Sequence, residues 1–471
     1  MQSLVLSGAH RYSLIKAISL LTYSPMSKKI QSKEDIVKLC NANDVKFIRL
    51  QFCDIHGHVK NMSVPIGQLD KALDNKVMLD GSSIRGFRTI ETSDMYFYPD
   101  ISTFKVLPWR PRDGAVARFI CDIYEADGTP FMGCPRNNLK RVLDKAKEQG
   151  YIFNIGTEAE FFLFETDEEG FASTKLTDKG GYYDVEPADV GSDVRRSVIM
   201  TLEELDFDIE ASHHEVAPSQ HEIDFKYSDA LTTADNVITF KWATKTVASE
   251  YGLYATFMPK PLYGVNGSGM HTNMSLFDLK GNNLFADDSK ADGISDLMKY
   301  FTAGILKHVK DTTAVSNPLV NSYKRLVPGY EAPVYIAWSQ CNRSALIRVP
   351  ASRGLSTRVE LRSPDPACNP YLTFAALLEA GLDGINSKLN PPAEVNENIY
   401  HMEMKTLAER DINALPGSLD EALYNMEKSS LVKSALGDHI YKHYIETKHK
   451  EYQEYRSQVT QWELDNYLHH F

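Results

Sequence analysis

Two glutamates, Glu215 and Glu222, flank a Pro218-Ser219 turn in the segment His213–Phe225, and polar and apolar residues alternate on either side. Period-two alternation reads as two short strands, hence a hairpin that can bring both carboxylates onto one face. Two carboxylates on one face repel unless a cation lies between them, which points to a hard-metal site. Taken alone, this segment fits a solvated acidic hairpin equally well. A second acidic pair shifts the balance. Glu158 and Glu160 precede the aromatic run Phe161-Phe162-Leu163-Phe164. In a strand, residues i and i+2 point the same way, so both carboxylates share a face next to a segment that must be buried. Buried carboxylates are paired or bound to metal. A third strand repeats the pattern: Val359 and Leu361 face a core, while Arg358, Glu360 and Arg362 point the other way. Glutamates on several strands with arginines between them suggest a divalent metal and an anionic substrate such as a nucleotide phosphate.

Three loops extend this chemistry. Gly264–His271 is glycine-rich, which permits close approach of a ligand to the backbone but also serves ordinary turns, and it ends in His271, a candidate ligand although a lone histidine is more often structural. Asn317–Pro333 contains Arg325 and Glu331 and reads as a loop with a fixed end, a candidate lid. Asn342-Arg343-Ser344 and Arg348 add positive charge beside it. A solvated basic surface would explain those arginines too, but their closeness in sequence to the lid and to the Arg/Glu strand favours an anion site.

The elements that must position these groups belong to a large chain. Its 471 residues imply more than one domain, and 43% hydrophobic residues suffice for a sizeable core. With 51 basic and 63 acidic residues the net charge is −12, which argues against general nucleic-acid binding. No apolar run is long enough to span a membrane. Six cysteines lie scattered at 40, 53, 121, 134, 341 and 368 without a CxxC, as expected of a reduced, cytoplasmic protein. Residues 1–29 read as a peripheral extension without a secretory signal. Residues 30–132 read as a small α+β unit. Ser32 caps a helix, Ile48, Leu50 and Phe52 alternate with Arg49 and Gln51 in a strand, His56-Gly57 turns into Val59–Val64, and Arg118–Ile123 forms another strand. Further turns are expected at Gly81, Pro99-Asp100 and Asp127-Gly128. Pro135 opens a helix that Gly150 stops, and residues 133–471 form the larger unit, with helices expected over 193–205, 233–251, 294–311 and 370–388. Residues 418–471 read as helical and end in Tyr467-Leu468-His469-His470-Phe471, an apolar end suited to docking on another subunit.

These motifs together are specific. Asp80-Gly81-Ser82-Ser83, the Glu158–Phe162 strand, His213-His214-Glu215-Val216-Ala217, Lys260-Pro261 with Asn266–His271, Asn321–Glu331 and Asn342-Arg343-Ser344 make the chain resemble glutamine synthetase of the type I class, from about residue 30 to the end. The resemblance implies an α+β protein: a small β-grasp-like domain, then a catalytic domain with a funnel built on a curved antiparallel sheet. It implies a homododecamer of two hexameric rings with active sites between subunits. Glutamate, ammonium and ATP would be joined with release of ADP and phosphate, through γ-glutamyl phosphate, in the service of nitrogen assimilation. Carried over by position, Glu160, Glu215 and Glu222 would hold one Mg²⁺ or Mn²⁺ ion and Glu158, His271 and Glu360 a second. Asn266, Gly267, Arg325 and Arg362 correspond to glutamate-binding positions. Glu210, Asn273, Ser275, Arg343 and Arg348 correspond to nucleotide positions, with Tyr227 beside the adenine. Asp80 of a neighbouring subunit would deprotonate ammonium, with Ser83 and Tyr182 nearby. An Asx-turn before Gly81 would also account for an aspartate there. Arg343 would neutralise the transferring phosphoryl group and Glu331 would close the site. The short stretch between Phe164 and Gly180 resembles the branch that is not adenylylated, which glutamine typically inhibits and which can bind a regulatory protein. Tyr400 is therefore expected to be unmodified, although Thr89 stands where that branch carries an arginine. A γ-glutamyl-amine ligase and a catalytically silent relative are the rival readings. Asp80 argues against the first, and the full set of metal-ligand positions argues against the second.

Overall fold

The computed structural model describes residues 30, 32–110, 114–330 and 332–471. The expected extension over residues 1–29 and the side chain of Glu331 lie outside these. The first sheet holds β1 (Val45–Cys53), β2 (Val59–Pro65), β3 (Met78–Asp80), β4 (Asp94–Val106) and β5 (Ala115–Glu125). Their order is β2-β1-β5-β4-β3, with β1 and β5 parallel and the other neighbours antiparallel. The helix Lys33–Ala42 precedes it. The Ser32 hydroxyl accepts the Asp35 N–H at 3.2 Å, and Ile36 and Cys40 bury one turn apart.

Arg49 and Gln51, which alternate with the apolar residues of β1, meet a second layer rather than open water. Gln51 is buried, and the Arg49 guanidinium lies 5.6 Å from the ring of Trp242, on the helix Ala230–Glu250. Arg118 on β5 donates to the Thr239 hydroxyl of the same helix at 3.2 Å. This face of the first sheet is an interface with the rest of the chain, and sequence alternation reports polarity without saying what covers it. The turn expected at Pro99-Asp100 is instead a bulge inside β4, where the register with β5 shifts between Asp100 and Lys105. The Asp100 carboxylate accepts the Ser102 N–H and hydroxyl, so the turn chemistry is real but is absorbed within the strand.

One guanidinium ties the sheet to the remainder. Arg136, at the start of the helix Pro135–Glu148, is 2% exposed. It donates to Asp122 on β5 at 3.0 Å, to Asp100 on β4 at 2.8 Å, and to both oxygens of Asp235 on the helix Ala230–Glu250. The Tyr371 hydroxyl adds a bond to Asp235 at 2.6 Å. Removing one member of such a buried network strands the other charges, which costs about 3–5 kcal/mol. Arg136→Met is therefore expected to lower the free energy of unfolding in urea by that amount, with a lower midpoint. Tryptophan emission is a suitable probe, because Trp109 and Trp242 meet edge-to-face at 4.6 Å across this interface. The pH dependence has a definite sign. Burial opposes the Asp100 charge, but Arg136 and Ser102 hold its carboxyl below the usual range. A depressed carboxylate contributes stability that is present above its unfolded pKa, near 3.9, and is lost as pH falls through the folded value. Acid unfolding below about pH 4 should therefore carry a component that Arg136→Met removes.

The second sheet holds β6 (Ile152–Thr166), β7 (Ala172–Leu176), β8 (Ile209–His214), β9 (Gln220–Phe225), β10 (Ser228–Asp229), β11 (Leu253–Thr256), β12 (Met270–Phe277), β13 (Trp338–Ser339), β14 (Ile347–Arg348) and β15 (Val359–Leu361). Its main path runs β13-β14-β15-β12-β6-β9-β8, with β7, β10 and β11 also paired to β6. The expected helices appear as Ser192–Glu203, Ala230–Glu250, Asp296–Ser316 and Pro370–Asn386. The last is buried almost all round and lies so close to Asp296–Ser316 that a Cβ on Gly304 or Gly384 would collide with the opposing backbone. The chain ends in the helices Leu419–Lys428, Ser430–Arg456 and Gln461–Tyr467. Trp462, Leu468 and Phe471 are exposed on the final segment. No described helix is long and apolar enough to cross a membrane.

Candidate active site

Sheet register assembles the site. β12 pairs with β6 so that His271 lies opposite Glu158. β15 sets Glu360 opposite Asn273, and β14 sets Arg348 opposite Glu360. On the other side, β9 sets Glu222 opposite Glu160, and β8 sets His213 opposite Glu222. Side chains alternate along each strand, so these pairings lay the charged groups in one row across the sheet. The expected hairpin is β8–β9, and Ser219 at its turn has φ of 62°.

Two clusters form along the row. In the first, single ligand-type atoms of Glu158, His271 and Glu360 lie within 4.8 Å of one another. His271 Nδ1 is 3.2 Å from Glu158, whose other oxygen accepts the Asn273 amide at 2.9 Å. Burial works against the Glu158 charge, but His271 and Asn273 hold its carboxyl down to about 2. Glu360 accepts from Arg348 at 2.8 Å and pairs with Arg362 at 3.3 Å. The second cluster unites Glu215 and Glu222 with His213, which lies 3.3 Å from Glu222. Glu160 is not in that grouping, although it stands opposite Glu222: one of its oxygens accepts the Gln220 amide at 2.8 Å and the Gly269 N–H at 3.0 Å. Burial, then Asp224, Glu160, Glu215 and Glu158, push the Glu222 carboxyl well above the usual range. Asp224 rises to about 7, again by burial and then Glu158. Carboxylates that raise one another in this way mark a region short of positive charge. The donor set of oxygens with one imidazole per cluster suits a hard divalent cation.

The expected substrate positions divide into those brought to the row and those held elsewhere. Arg325 is 3% exposed and donates to the carbonyls of Arg362, Ser363 and Pro364. Gly267 leaves no room for a Cβ against the Pro259 carbonyl. Asn266 lies beside it, half-buried. Arg362 also donates to the Arg343 carbonyl, while the Arg343 side chain is exposed. Tyr182 stacks on Tyr183 at 4.1 Å and meets His213 at 5.5 Å. Burial, then Tyr183 and Glu215, raise its hydroxyl above the ordinary phenol value. Asn273 and Ser275 lie on β12, Glu210 on β8, and Tyr227 beyond β9 lies against Gly156 on β6. Asp80 and Ser83 are exposed at the end of β3, and Asp80 accepts the Ser82 N–H and hydroxyl at 2.8 and 2.7 Å. Those bonds, led by the Ser82 hydroxyl, hold its carboxyl below the usual range. The Ser82 bonds form the Asx-turn that the sequence offered as the alternative to a functional role, and no hydrogen bond or ion pair joins Asp80 to the row among the described residues. The first half of the expected lid is not free to move as one. Asn317 is buried and bonds the Ser363 carbonyl and Asp365, and Ser322–Arg325 is a buried helical turn.

Two family models match this chain. One, described as the glutamine synthetase beta-Grasp domain, covers residues 44–126, and the other, the glutamine synthetase catalytic domain, covers residues 132–467. The chain belongs to the glutamine synthetase family. A glutamine synthetase of Clostridium saccharobutylicum is 58% identical over 93% of this chain and 98% of its own length. One of Staphylococcus aureus strain Mu50 is 56% identical over 94% and 99%. Among solved structures, a GmaS/ADP complex matches with TM-score 0.84 and 32% identity, covering 92% of this chain and 99% of its own. A Plasmodium falciparum glutamine synthetase matches at 0.83 and 28%, covering 94% and 99%. As a glutamine synthetase of type I, the protein forms glutamine from glutamate and ammonia at the expense of ATP.

Sequence reasoning passed over three features of this glutamine synthetase sheet. His213 was legible: it stands two residues before Glu215 and therefore shares its face. Gln220, which holds Glu160, gave no signal. Neither did the buried support behind the hairpin, where His214 bonds Asp178 at 3.0 Å and the Glu215 carbonyl at 2.7 Å. Arg195, held by both oxygens of Asp189, donates to His221 Nδ1 at 2.8 Å. Arginine only donates, so His221 accepts at Nδ1 and stays neutral. Burial and then Arg195 depress its pKa well below the imidazole value.

Proposed function

We propose that the row of charged residues on the second sheet is the catalytic site for glutamine formation. Glu158, His271 and Glu360 would hold one divalent cation, and Glu215, Glu222 and Glu160 a second, with His213 at its edge. The carrying observation is the strand register that gathers these groups beside Arg348 and Arg362. Mg²⁺ or Mn²⁺ suits oxygen-rich ligand sets with one imidazole, and supplies neutralisation of phosphate charge when bound. Arg325, Arg362, Asn266 and Gly267 orient glutamate. Arg343 and Arg348 face the nucleotide, with Glu210, Asn273, Ser275 and Tyr227 around it. The glutamate γ-carboxylate oxygen bonds to the γ-phosphorus of ATP as the bond to the bridging oxygen breaks, leaving ADP; catalysis here is positioning and charge neutralisation. Asp80 takes a proton from ammonium, with Ser83 and Tyr182 beside it. Ammonia attacks the γ-carbonyl carbon, and phosphate leaves. Glu331 excludes water that would hydrolyse the acyl phosphate.

Asp80 lies on a face remote in its bonding from this chain's own row, which supports an assembly in which a neighbour supplies it. We assign a homododecamer of two hexameric rings in the cytoplasm. The exposed Trp462, Leu468 and Phe471 are the surface to be covered. A chain ending at Ser457 is expected to elute as a smaller species in size-exclusion chromatography; an unchanged elution volume would rule the tail out as an assembly contact. Tyr400 is half-buried in a short turn, with its hydroxyl shielded from solvent, which supports the absence of adenylylation. An AMP adduct by intact mass would overturn that.

The activity test is phosphate release from ATP with Mg²⁺ and glutamate, comparing ammonium with a panel of amines. Ammonium-dependent turnover supports glutamine synthesis. Turnover with amines alone would make the protein a γ-glutamyl-amine ligase. No turnover in a folded, metal-loaded oligomer would favour a silent relative.

A further inference from the structure

We propose that a cavity between the β1–β2 turn, the helix Ala230–Glu250 and the helix Ser430–Arg456 binds a small organic dianion with a planar apolar body. The cavity measures about 500 Å³ and is lined by residues of all three elements, a volume in the range of small-molecule sites. Its charge is one-sided. His56, Arg85, Lys241, Lys245 and Lys448 line it, against a single lining carboxylate among the described residues, Glu451. His58 also lines it but lies 3.4 Å from Asp54. Glu451 is committed to Lys448 at 2.7 Å. Lys241 spends one N–H on the Pro366 carbonyl at 2.7 Å, which leaves two more to donate.

Two features point to an occupant. With Glu451 taken up by Lys448, no lining carboxylate among the described residues is left for Arg85, Lys241 and Lys245, and His56 Nε2 is buried without a hydrogen-bond partner. Buried cations and unpaired polar atoms are costly unless a counter-charge meets them. The titration behaviour agrees. Burial depresses the ammonium pKa of Lys241, Lys245 and Lys448, with Lys241 adding to the effect on Lys245. Burial, then Lys448, lower His56 to about 4. An entering dianion would oppose these shifts and give His56 Nε2 a partner. Inorganic phosphate would leave most of the volume empty, whereas Trp242, Phe257 and Tyr444 offer aromatic walls to a ring.

Two wall segments run directly into the proposed glutamate loops. Phe257-Met258 precedes Pro259, whose carbonyl accepts the Ser268 N–H at 2.8 Å. Pro318-Leu319 precedes Asn321, whose side chain accepts the Lys260 N–H at 2.8 Å and donates to its carbonyl at 3.0 Å. An occupant is therefore expected to shift the KM for glutamate. That consequence rests on the site assignment above, but binding itself does not.

The test is calorimetric titration of the full-length, assembled protein with phenyl phosphate and, separately, with phthalate. Both are dianions with one ring, and they distinguish a phosphomonoester from a dicarboxylate. Saturable binding by either is expected, weakened about tenfold or more in Lys245→Met and Lys448→Met and retained in Arg343→Ala. The exposed Lys245 keeps the test valid if Lys448→Met fails to assemble. Binding that disappears in Arg343→Ala but survives both lysine variants would place the anion in the active site and overturn the proposal. Absence of saturable binding by either probe at millimolar concentration would overturn it too. So would a changed assembly size in Lys245→Met without anion binding, which would make the cavity a contact between copies. If binding is confirmed and the KM for glutamate does not move, the site stands and the coupling fails.

Discussion

Glu158→Ala is expected to lower kcat/KM for phosphate release by about a thousandfold, or roughly 4 kcal/mol of transition-state stabilisation, with little loss of fold. The two halves of that expectation have separate causes. Glu158 sits at the centre of the row, between His271 and Asn273, and its carboxyl is held near 2. Its side chain is nevertheless 33% exposed, so truncation leaves no sealed cavity, and the stability change should stay within about 1 kcal/mol. Mn²⁺ bound per chain, by equilibrium dialysis, should fall in parallel with activity. Full activity with a native count of bound metal would sink the assignment of Glu158 as a ligand. A large fall in the urea midpoint would show instead that the carboxylate is structural.

Asp80→Asn separates the two roles that one aspartate can play. The asparagine Oδ1 still accepts the Ser82 N–H and hydroxyl, so the turn after β3 survives. What is lost is the proposed base. Ammonium-dependent turnover should fall by about 10²–10⁴, the usual contribution of a positioned proton acceptor, while the urea midpoint stays unchanged. The Ser82 bonds already hold the Asp80 carboxyl below the usual range. It is therefore ionised at neutral pH, and in the proposed reaction it would attract ammonium as a charge before accepting a proton. If Asp80→Asn is as active as the unaltered protein, Asp80 is a turn residue and the ammonium site lies elsewhere. Mixed assemblies sharpen the point: co-assembled Asp80→Asn and Glu158→Ala chains should recover partial activity if neighbours share sites, and none if each site is built from one chain.

Much of this site was readable from local patterns. Period-two spacing put Glu158 with Glu160, and Arg358 with Glu360 and Arg362, on single faces, because a strand fixes that relation whatever surrounds it. The Pro218-Ser219 turn located the hairpin for the same reason. What could not be read was what lies opposite. Nothing in the sequence sets His271 across from Glu158, or Gln220 against Glu160, since register is a property of two strands. Alternation set Arg49 and Gln51 on one face of β1, but polarity alone does not reveal that a second layer covers them. The Pro99-Asp100 pair showed its turn chemistry correctly, but a long strand absorbed it as a bulge. The first half of the lid looked like loop because its anchors, Ser363 and Asp365, are distant in sequence from Asn317.

The guanidinium of Arg136 has a consequence for how such chains can be recombined. Two of its aspartate partners belong to the first sheet and the third to the helix Ala230–Glu250. Cutting the chain near residue 130 and grafting either part onto an unrelated counterpart would leave buried Asp122 and half-buried Asp100 without their guanidinium on one side, and Arg136 with Asp235 alone on the other. The boundary that looks like a convenient seam in sequence is therefore a poor splice point. The two parts are exchangeable only between relatives that keep all four charges, and a library of chimeras should show survivors sorted by that quartet before any residue of the catalytic row matters.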